Sequence, residues 1–337
     1  MQQSRAPRPL PLFLELVRMV SEREPELAAK ALQGLGKYEQ APRVAPREPK
    51  PLVATCGGVT MRDYGGSGPS AVLVPSLINP PSILDLDSDT SLADAVARMG
   101  RRALLVDWGE AAERRDLSVG DHVETALVPL LRDLGETPAL IGYCLGGTMT
   151  VAAANFIPVE RVITLAAPWR FSGYPRATRA SLEQLWSSAS PTAKEMGALP
   201  MEVLQSAFWS LDPKRTVAKF ASFADFPPES PQAQRFVTLE DWANEGEPLP
   251  FPAARELMED LFGANLPGKG EWRIGGRTMT DRLDCPMLNV TASKDRITPA
   301  ATAPRGETVQ VDSGHVGMIV GSARARLHRS LADFLSE

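Results

Sequence analysis

From Val53 onward, short apolar runs alternate with longer amphipathic stretches. Ala71-Val-Leu-Val-Pro75, Ala103-Leu-Leu-Val-Asp107, Ala139-Leu-Ile141 and Val162-Ile-Thr-Leu165 have strand length and no polar alternation, which predicts strands buried on both faces. Ser91 to Met99, Val119 to Leu134 and Gly146 to Phe156 repeat their apolar positions at helical spacing, and Gly135 ends the second of them. The alternation returns with Met287 to Val290 and Thr308 to Val311, and a helix from Ala323 to Leu335 closes the chain. Strands that alternate with helices predict an α/β fold, a mostly parallel sheet with helices on both faces.

Two regions break this pattern. Residues 1–52 hold an amphipathic segment, Leu10 to Leu35, and a Pro-rich charged stretch, Pro42 to Pro51; they read as a helical arm and linker. Residues 169–280 interrupt the alternation for too long to be a loop, and read as a cap inserted before the last two core strands. The core is then 53–168 with 281–337. Five of the six tryptophans and eight of the eleven phenylalanines fall in the cap, so aromatic side chains either build its own core or line a substrate path. Gly65-Gly66-Ser67-Gly68, with a strand on each side, reads as a hairpin turn and not as a phosphate loop.

Composition narrows the function. With 36 Lys+Arg and 41 Asp+Glu the net charge is −5 across 337 residues, which argues against a nucleic-acid partner held by a basic face. Cys56, Cys144 and Cys285 are isolated, so neither a disulfide framework nor a structural zinc site is expected, and no metal. The apolar run Pro9 to Val17 is interrupted by Pro11 and Glu15, and no stretch is long and apolar enough to span a bilayer. The expected compartment is the cytoplasm.

The chemistry is concentrated in Gly142-Tyr143-Cys144-Leu145-Gly146-Gly147, between a predicted strand and a predicted helix. That is the context of the G-x-S-x-G nucleophile elbow of the α/β-hydrolase fold, with Cys in place of Ser. Glycines flank the nucleophile where a Cβ would clash, and the helix N-terminus favours the thiolate. In such folds the acid follows the nucleophile and a histidine comes last. His315, in Asp312-Ser-Gly-His-Val-Gly317 after the last strand, fits as the base; His122 and His328 lie on helices and read as surface or boundary residues. Asp295, just past the strand Met287 to Val290, fits as the acid, while Asp312 sits on the histidine's own strand and suits a loop hydrogen bond. Backbone N–H groups of Leu145 and of the loop at Ile78 and Asn79 would form the oxyanion hole. Trp169, Trp242 and Tyr143 are candidate substrate-lining side chains. Arg176, Arg179, Lys214 and Arg215 read as a solvated face before a phosphate site.

These residues resemble the polyhydroxyalkanoate synthases, cysteine-dependent members of the α/β-hydrolase superfamily. The resemblance extends to Val74-Pro-Ser-Leu-Ile-Asn79, Ile83-Leu-Asp-Leu86, Leu105-Val-Asp-Trp-Gly109, Asp241-Trp242 and Gly314-His-Val-Gly317, and covers residues 60 to 335. Departures are Ser82, Arg296 and Ala300, where the family usually has Tyr, His and a bulky or cyclic residue. The resemblance implies an acyltransferase with Cys144, Asp295 and His315 as its catalytic triad. It would take 3-hydroxyacyl-coenzyme A as substrate, with no other cofactor, and pass the acyl group to a growing polyester. In size the chain resembles the short catalytic subunits, so a second synthase subunit or a second copy is the implied protein partner, at a polymer granule surface. Two other readings stand beside it: a cysteine hydrolase of esters, thioesters or lactones, whose dienelactone-hydrolase members share the elbow but lack so long a cap, and a non-catalytic granule scaffold.

Overall fold

The computed structural model describes residues 6–45 and 47–336; residues 1–5 of the expected arm, Pro46 of its linker and Glu337 lie outside the described residues. The chain divides into two compact units. One comprises Pro49–Leu199 and Glu247–Glu337, the other Met1–Glu48 and Pro200–Gly246.

The larger unit carries an eight-stranded sheet: β1 (Leu52–Cys56), β2 (Val59–Asp63), β3 (Ser70–Val74), β4 (Arg102–Asp107), β5 (Ala139–Tyr143), β6 (Val162–Leu165), β7 (Met287–Ala292) and β8 (Glu307–Val311). Their spatial order is β1-β2-β4-β3-β5-β6-β7-β8. The expected α/β class is borne out: from β4 to β8 every neighbouring pair is parallel, and only β2 runs against the rest, antiparallel to both β1 and β4. Every residue of β3, β5, β6 and β7 is buried, as uninterrupted apolar runs require of strands covered on both sides. A parallel sheet of this kind gathers loops at the carboxyl ends of its strands, and the candidate residues lie on such loops.

Two local expectations are corrected. Gly65–Gly68 is not a hairpin turn, because β2 and β3 do not pair; both lie against β4, on opposite sides. The segment instead crosses the start of β4, where a Cβ on Gly66 or Gly68 would overlap the carbonyls of Arg101 and Gly100. The helix expected over Val119 to Leu134 is continuous but widens to a π-turn at His122–Leu127 between Val119–Asp121 and Val128–Asp133. Pro129 accounts for it, since proline lacks the N–H that would reach Thr125 and its ring would collide with that carbonyl. The freed Thr125 carbonyl instead accepts from the Cys56 thiol at 3.2 Å.

His122, expected at the surface or at a boundary, is wholly buried. Its Nδ1 donates to the Ser118 carbonyl at 2.6 Å and its ring meets Trp108 edge-on. Burial lowers its pKa to about 4, helped by the Arg114 charge and opposed by the Ser118 carbonyl. The neutral ring is thus the native form, and the unfolded chain, with a histidine pKa near 6.5, binds the extra proton first. Stability should therefore fall as pH drops from about 6.5 towards 4, by up to ~3 kcal/mol. Urea denaturation across that window should show a flatter dependence in His122→Gln.

The smaller unit is helical, with Leu10–Ser21, Pro25–Gln40, Met201–Ser210, Pro213–Ala224 and Pro231–Asn244. The expected single amphipathic segment is broken into two helices, the second opening on Pro25, whose missing N–H is harmless at a first turn. The first two helices are not a detached arm. Phe13 and Tyr38 share a core with Trp209, Phe220, Phe223 and Val237 from the expected cap. Gly34 allows the helix backbones to touch, because a Cβ there would overlap the Phe220 carbonyl. Asp241 accepts from Tyr38 Oη at 2.6 Å and from Arg43 Nε at 2.8 Å. The division expected at residue 52, and the cap expected as one piece over 169–280, are thus redrawn: residues 200–246 pack with the N-terminal helices, and most of their aromatic side chains form that unit's own core.

Candidate active site

Strand β5 runs into the helix Leu145–Ala153 through a single residue, Cys144, held at φ 56°, ψ −129°. A non-glycine residue in that conformation is strained by about 1–3 kcal/mol, and persists because its surroundings allow nothing else. A Cβ on Gly142 would overlap Gly147 and Thr150, and one on Gly146 would overlap the carbonyls of Val74 and Pro75. The glycine spacing read in the sequence is therefore the condition for seating this turn against the end of β3. Gly146→Ala should destabilise the protein by ~3 kcal/mol, because the new atom meets backbone that cannot yield. Chemical denaturation at neutral pH measures it.

His315 lies on the loop after β8, and Asp295 on the loop after β7. The two side chains are buried and joined by a bond of 2.7 Å from His315 Nδ1 to Asp295 Oδ2. The other carboxylate oxygen accepts from the backbone N–H groups of Ile297 and Thr298, each at 2.8 Å. The Cys144 side chain acts on the imidazole as well, raising its pKa. With Nδ1 taken by Asp295, Nε2 is the ring nitrogen left to meet another group. Burial of the ring lowers its pKa, but the negative charges of Asp295 and Cys144 and the hydrogen bond to Asp295 outweigh it, and the net shift is upward. The arrangement favours the protonated ring. Asp312, the rival acid, is exposed and bonds Ser293 Oγ at 2.8 Å and Lys294 Nζ at 3.1 Å, a loop role.

Of the expected oxyanion donors, Leu145 opens the helix, where a first-turn N–H has no acceptor within the helix. The Ile78 N–H is turned towards Ser76 Oγ at 3.3 Å, a bond internal to its loop. Asn79 follows in the same loop, half-buried. The substrate-lining candidates separate. Tyr143 is buried with its ring 5.0 Å from that of His315. Trp169 is buried edge-on against Trp272, which donates to Glu256 at 2.6 Å, so it serves packing. Trp242 is buried in the helix Pro231–Asn244 of the smaller unit, whereas Cys144, Asp295 and His315 all belong to the larger. Of the basic residues, Lys214 pairs with Glu24 at 2.7 Å within the smaller unit.

One neighbour of the sulfur was not legible in the sequence. Tyr174 is buried, its pKa raised first by burial and then by the charge of Cys144. It stands in irregular chain beyond β6, where no periodicity points to it. Among the described residues no group of three or more His, Cys, Asp or Glu side chains could hold a metal ion, and no helix is long and apolar enough to cross a membrane.

Sequence comparison brings in known proteins. The chain is 27% identical over 287 residues to a poly(3-hydroxyalkanoate) polymerase subunit of Haloferax mediterranei, covering 79% of this chain and 58% of that protein. It is 26% identical over 304 residues to the corresponding subunit of Haloarcula marismortui, covering 84% and 64%. The subunit of a Synechocystis species matches at 27% over 291 residues, 79% of this chain and 77% of the relative. The chain is a relative of the poly(3-hydroxyalkanoate) polymerases. It spans about three fifths of the length of the two haloarchaeal polymerase subunits. No family model matches it. In fold, this polymerase relative is similar to a carboxylesterase of Nitrososphaera gargenis, with a TM-score of 0.52, 16% identity and coverage of 85% and 98%. An α/β-hydrolase fold protein of Burkholderia ambifaria matches with a TM-score of 0.51, 15% identity and coverage of 85% and 99%. The expected α/β-hydrolase fold is thereby borne out.

Proposed function

We propose that this chain is the acyl-transferring subunit of a polyhydroxyalkanoate synthase, with Cys144 as nucleophile, His315 as acid and base, and Asp295 as the group that orients the ring. The observation that supports the reading is the bond of 2.7 Å from His315 Nδ1 to Asp295 Oδ2, on a ring whose pKa Cys144 helps to raise. The Cys144 thiolate attacks the carbonyl of a 3-hydroxyacyl-coenzyme A, forming an S–C bond. The bond to the coenzyme A sulfur breaks, and the departing thiol takes a proton from His315. The acyl group then rests on Cys144 as a thioester. In the second half, a hydroxyl of another 3-hydroxyacyl unit attacks that carbonyl and gives its proton to His315, and the thiolate is restored as the ester forms.

Exchange of one thioester for another is nearly balanced, so the acyl enzyme keeps the reactivity needed to make an ester. Water competes for the same carbonyl, and chain growth requires its exclusion. Leu145 N–H meets the developing oxyanion, and such a donor contributes about 2.7–4 kcal/mol to lowering the barrier. The relatives are named as polymerase subunits, which supports a second protein as partner for this chain too. The test is turnover of 3-hydroxybutyryl-coenzyme A with the products separated, with and without a candidate partner subunit. Insoluble polyester is the expected product; free 3-hydroxybutyrate alone, in both conditions, would transfer the assignment to a cysteine hydrolase.

A further inference from the structure

Strand β5 ends on Gly142 and Tyr143, and successive residues of a strand point to opposite faces of the sheet. A Cβ at Gly142 would overlap Gly147 and Thr150, so the helix that carries the elbow occupies that face. Tyr143 projects from the other face, and its buried ring lies 5.0 Å from the His315 ring, centroid to centroid, with 32° between the planes. Its hydroxyl donates to the His315 carbonyl at 3.5 Å, a long bond. The phenol therefore meets both the ring and the backbone of the proposed base. In the chain it stands immediately before Cys144.

Asp295 grips the imidazole through one bond, 2.7 Å from Nδ1 to Oδ2. The torsion that turns a histidine ring about its Cβ–Cγ bond is soft, and a single hydrogen bond tolerates bending by roughly 30° before it weakens. That bond locates Nδ1 but leaves the plane of the ring, and with it Nε2, room to tilt. A flat aromatic surface against the imidazole face takes up that room. We propose that Tyr143 is a positioning residue whose ring fixes the plane of His315 and so keeps Nε2 on its bearing relative to Cys144. The inference rests on the proposed triad but not on the identity of the acyl acceptor. Every residue of β5 is buried, so the surface against His315 is carried by a rigid strand and by the residue bonded to the nucleophile. The base is thereby registered against the backbone of Cys144 as well as against the acid. A displacement of about 1 Å at a reacting group can cost on the order of 10²-fold in rate, which gives the contact its value.

The test separates ring from hydroxyl. Tyr143→Phe keeps the aromatic face and loses the bond to the His315 carbonyl, whereas Tyr143→Leu fills much of the same space without a flat face. The chain has three histidines, so His315 can be followed by histidine-selective NMR as pH is varied. In the wild type and in Tyr143→Phe its ring protons should be shifted upfield by the neighbouring aromatic face, with coenzyme A release near the wild-type rate. In Tyr143→Leu that upfield shift should vanish and kcat for coenzyme A release should fall ~10-fold with KM nearly unchanged. The His315 midpoint should also drop by roughly half a unit, because an aromatic face favours the imidazolium. A wild-type kcat in Tyr143→Leu, or an equal loss in Tyr143→Phe, would overturn the proposal. If Tyr143→Leu fails to fold, the wild-type spectrum and Tyr143→Phe decide it: no upfield shift of the His315 ring protons in either would overturn it. Wild-type protein that releases no coenzyme A would instead count against the synthase reading, while the NMR measurements, which need no substrate, would still judge the role of Tyr143.

Discussion

Replacing Cys144 with alanine should reduce release of coenzyme A from 3-hydroxybutyryl-coenzyme A by ~10⁴-fold or more, while leaving the fold intact. The size follows from the division of labour at the site. Without the sulfur no acyl enzyme can form, and His315 and Asp295 are left to orient each other with no nucleophile to serve. The strained backbone at φ 56° is no harder for alanine than for cysteine, since both carry one Cβ, so stability should change little. Removing the sulfur should also lower the His315 pKa, because Cys144 helps to raise it. Mass spectrometry after incubation with substrate adds a direct readout: an acyl adduct on the wild-type chain and none on Cys144→Ala. Release that survives the substitution would remove Cys144 from the mechanism.

Asp295→Asn should be nearly as severe, slowing turnover by about 10⁴-fold, for a different reason. The amide oxygen can still accept from the N–H groups of Ile297 and Thr298, so the loop has reason to keep its shape. The amide nitrogen then faces His315 Nδ1 as a donor. The ring must answer with a lone pair there, which puts its proton on Nε2, towards the sulfur, and leaves it unable to act as base.

The same change alters the pH dependence in a direction that can be worked out. His315 is raised above the ordinary 6.5, against the pull of burial, by Asp295 and Cys144. A histidine raised on folding contributes stability that is fully present below its unfolded pKa and is lost as pH climbs through the folded one. For the wild type this decline therefore belongs to the alkaline side, towards the folded value of about 10. In Asp295→Asn it should begin at lower pH, as should the alkaline fall in any residual activity. Thermal or urea denaturation from pH 6 to 10, alongside the rate profile, measures both. An alkaline limb in the same place as in the wild type would mean that the carboxylate does not set the charge of the ring.

Much of this molecule was legible in its one-dimensional pattern. Apolar runs too continuous for a half-exposed strand marked β3 to β7, since a strand covered on both faces admits a polar side chain only where it finds a partner, as Thr164 and Asn289 find each other. Gly142, Gly146 and Gly147 marked the turn, because a side chain at any of them would occupy space already filled by neighbouring atoms. Cys144, Asp295 and His315 could be chosen by their order along the chain and their place after successive strands. The hairpin of β1 and β2 gave a weaker signal, because its partly exposed residues tolerate either kind of side chain.

What pattern could not supply was partnership across distance. Nothing local in Leu10 to Gln40 shows that those helices share a core with Phe220 and Phe223; their apolar faces would look the same against any partner, because burial has no direction. His122 was misjudged for the same reason: its helix is legible, but which face turns inward depends on what packs against it. Tyr174 carries no signal at all, since it lies in irregular chain and its packing against Phe171 and Phe262 is set by the fold. Local sequence determined the turns, strands and order of the chemical groups through sterics acting over a few residues. The tertiary structure alone decided which apolar faces meet and which side chains share a charge, because those depend on contacts between segments far apart in the chain.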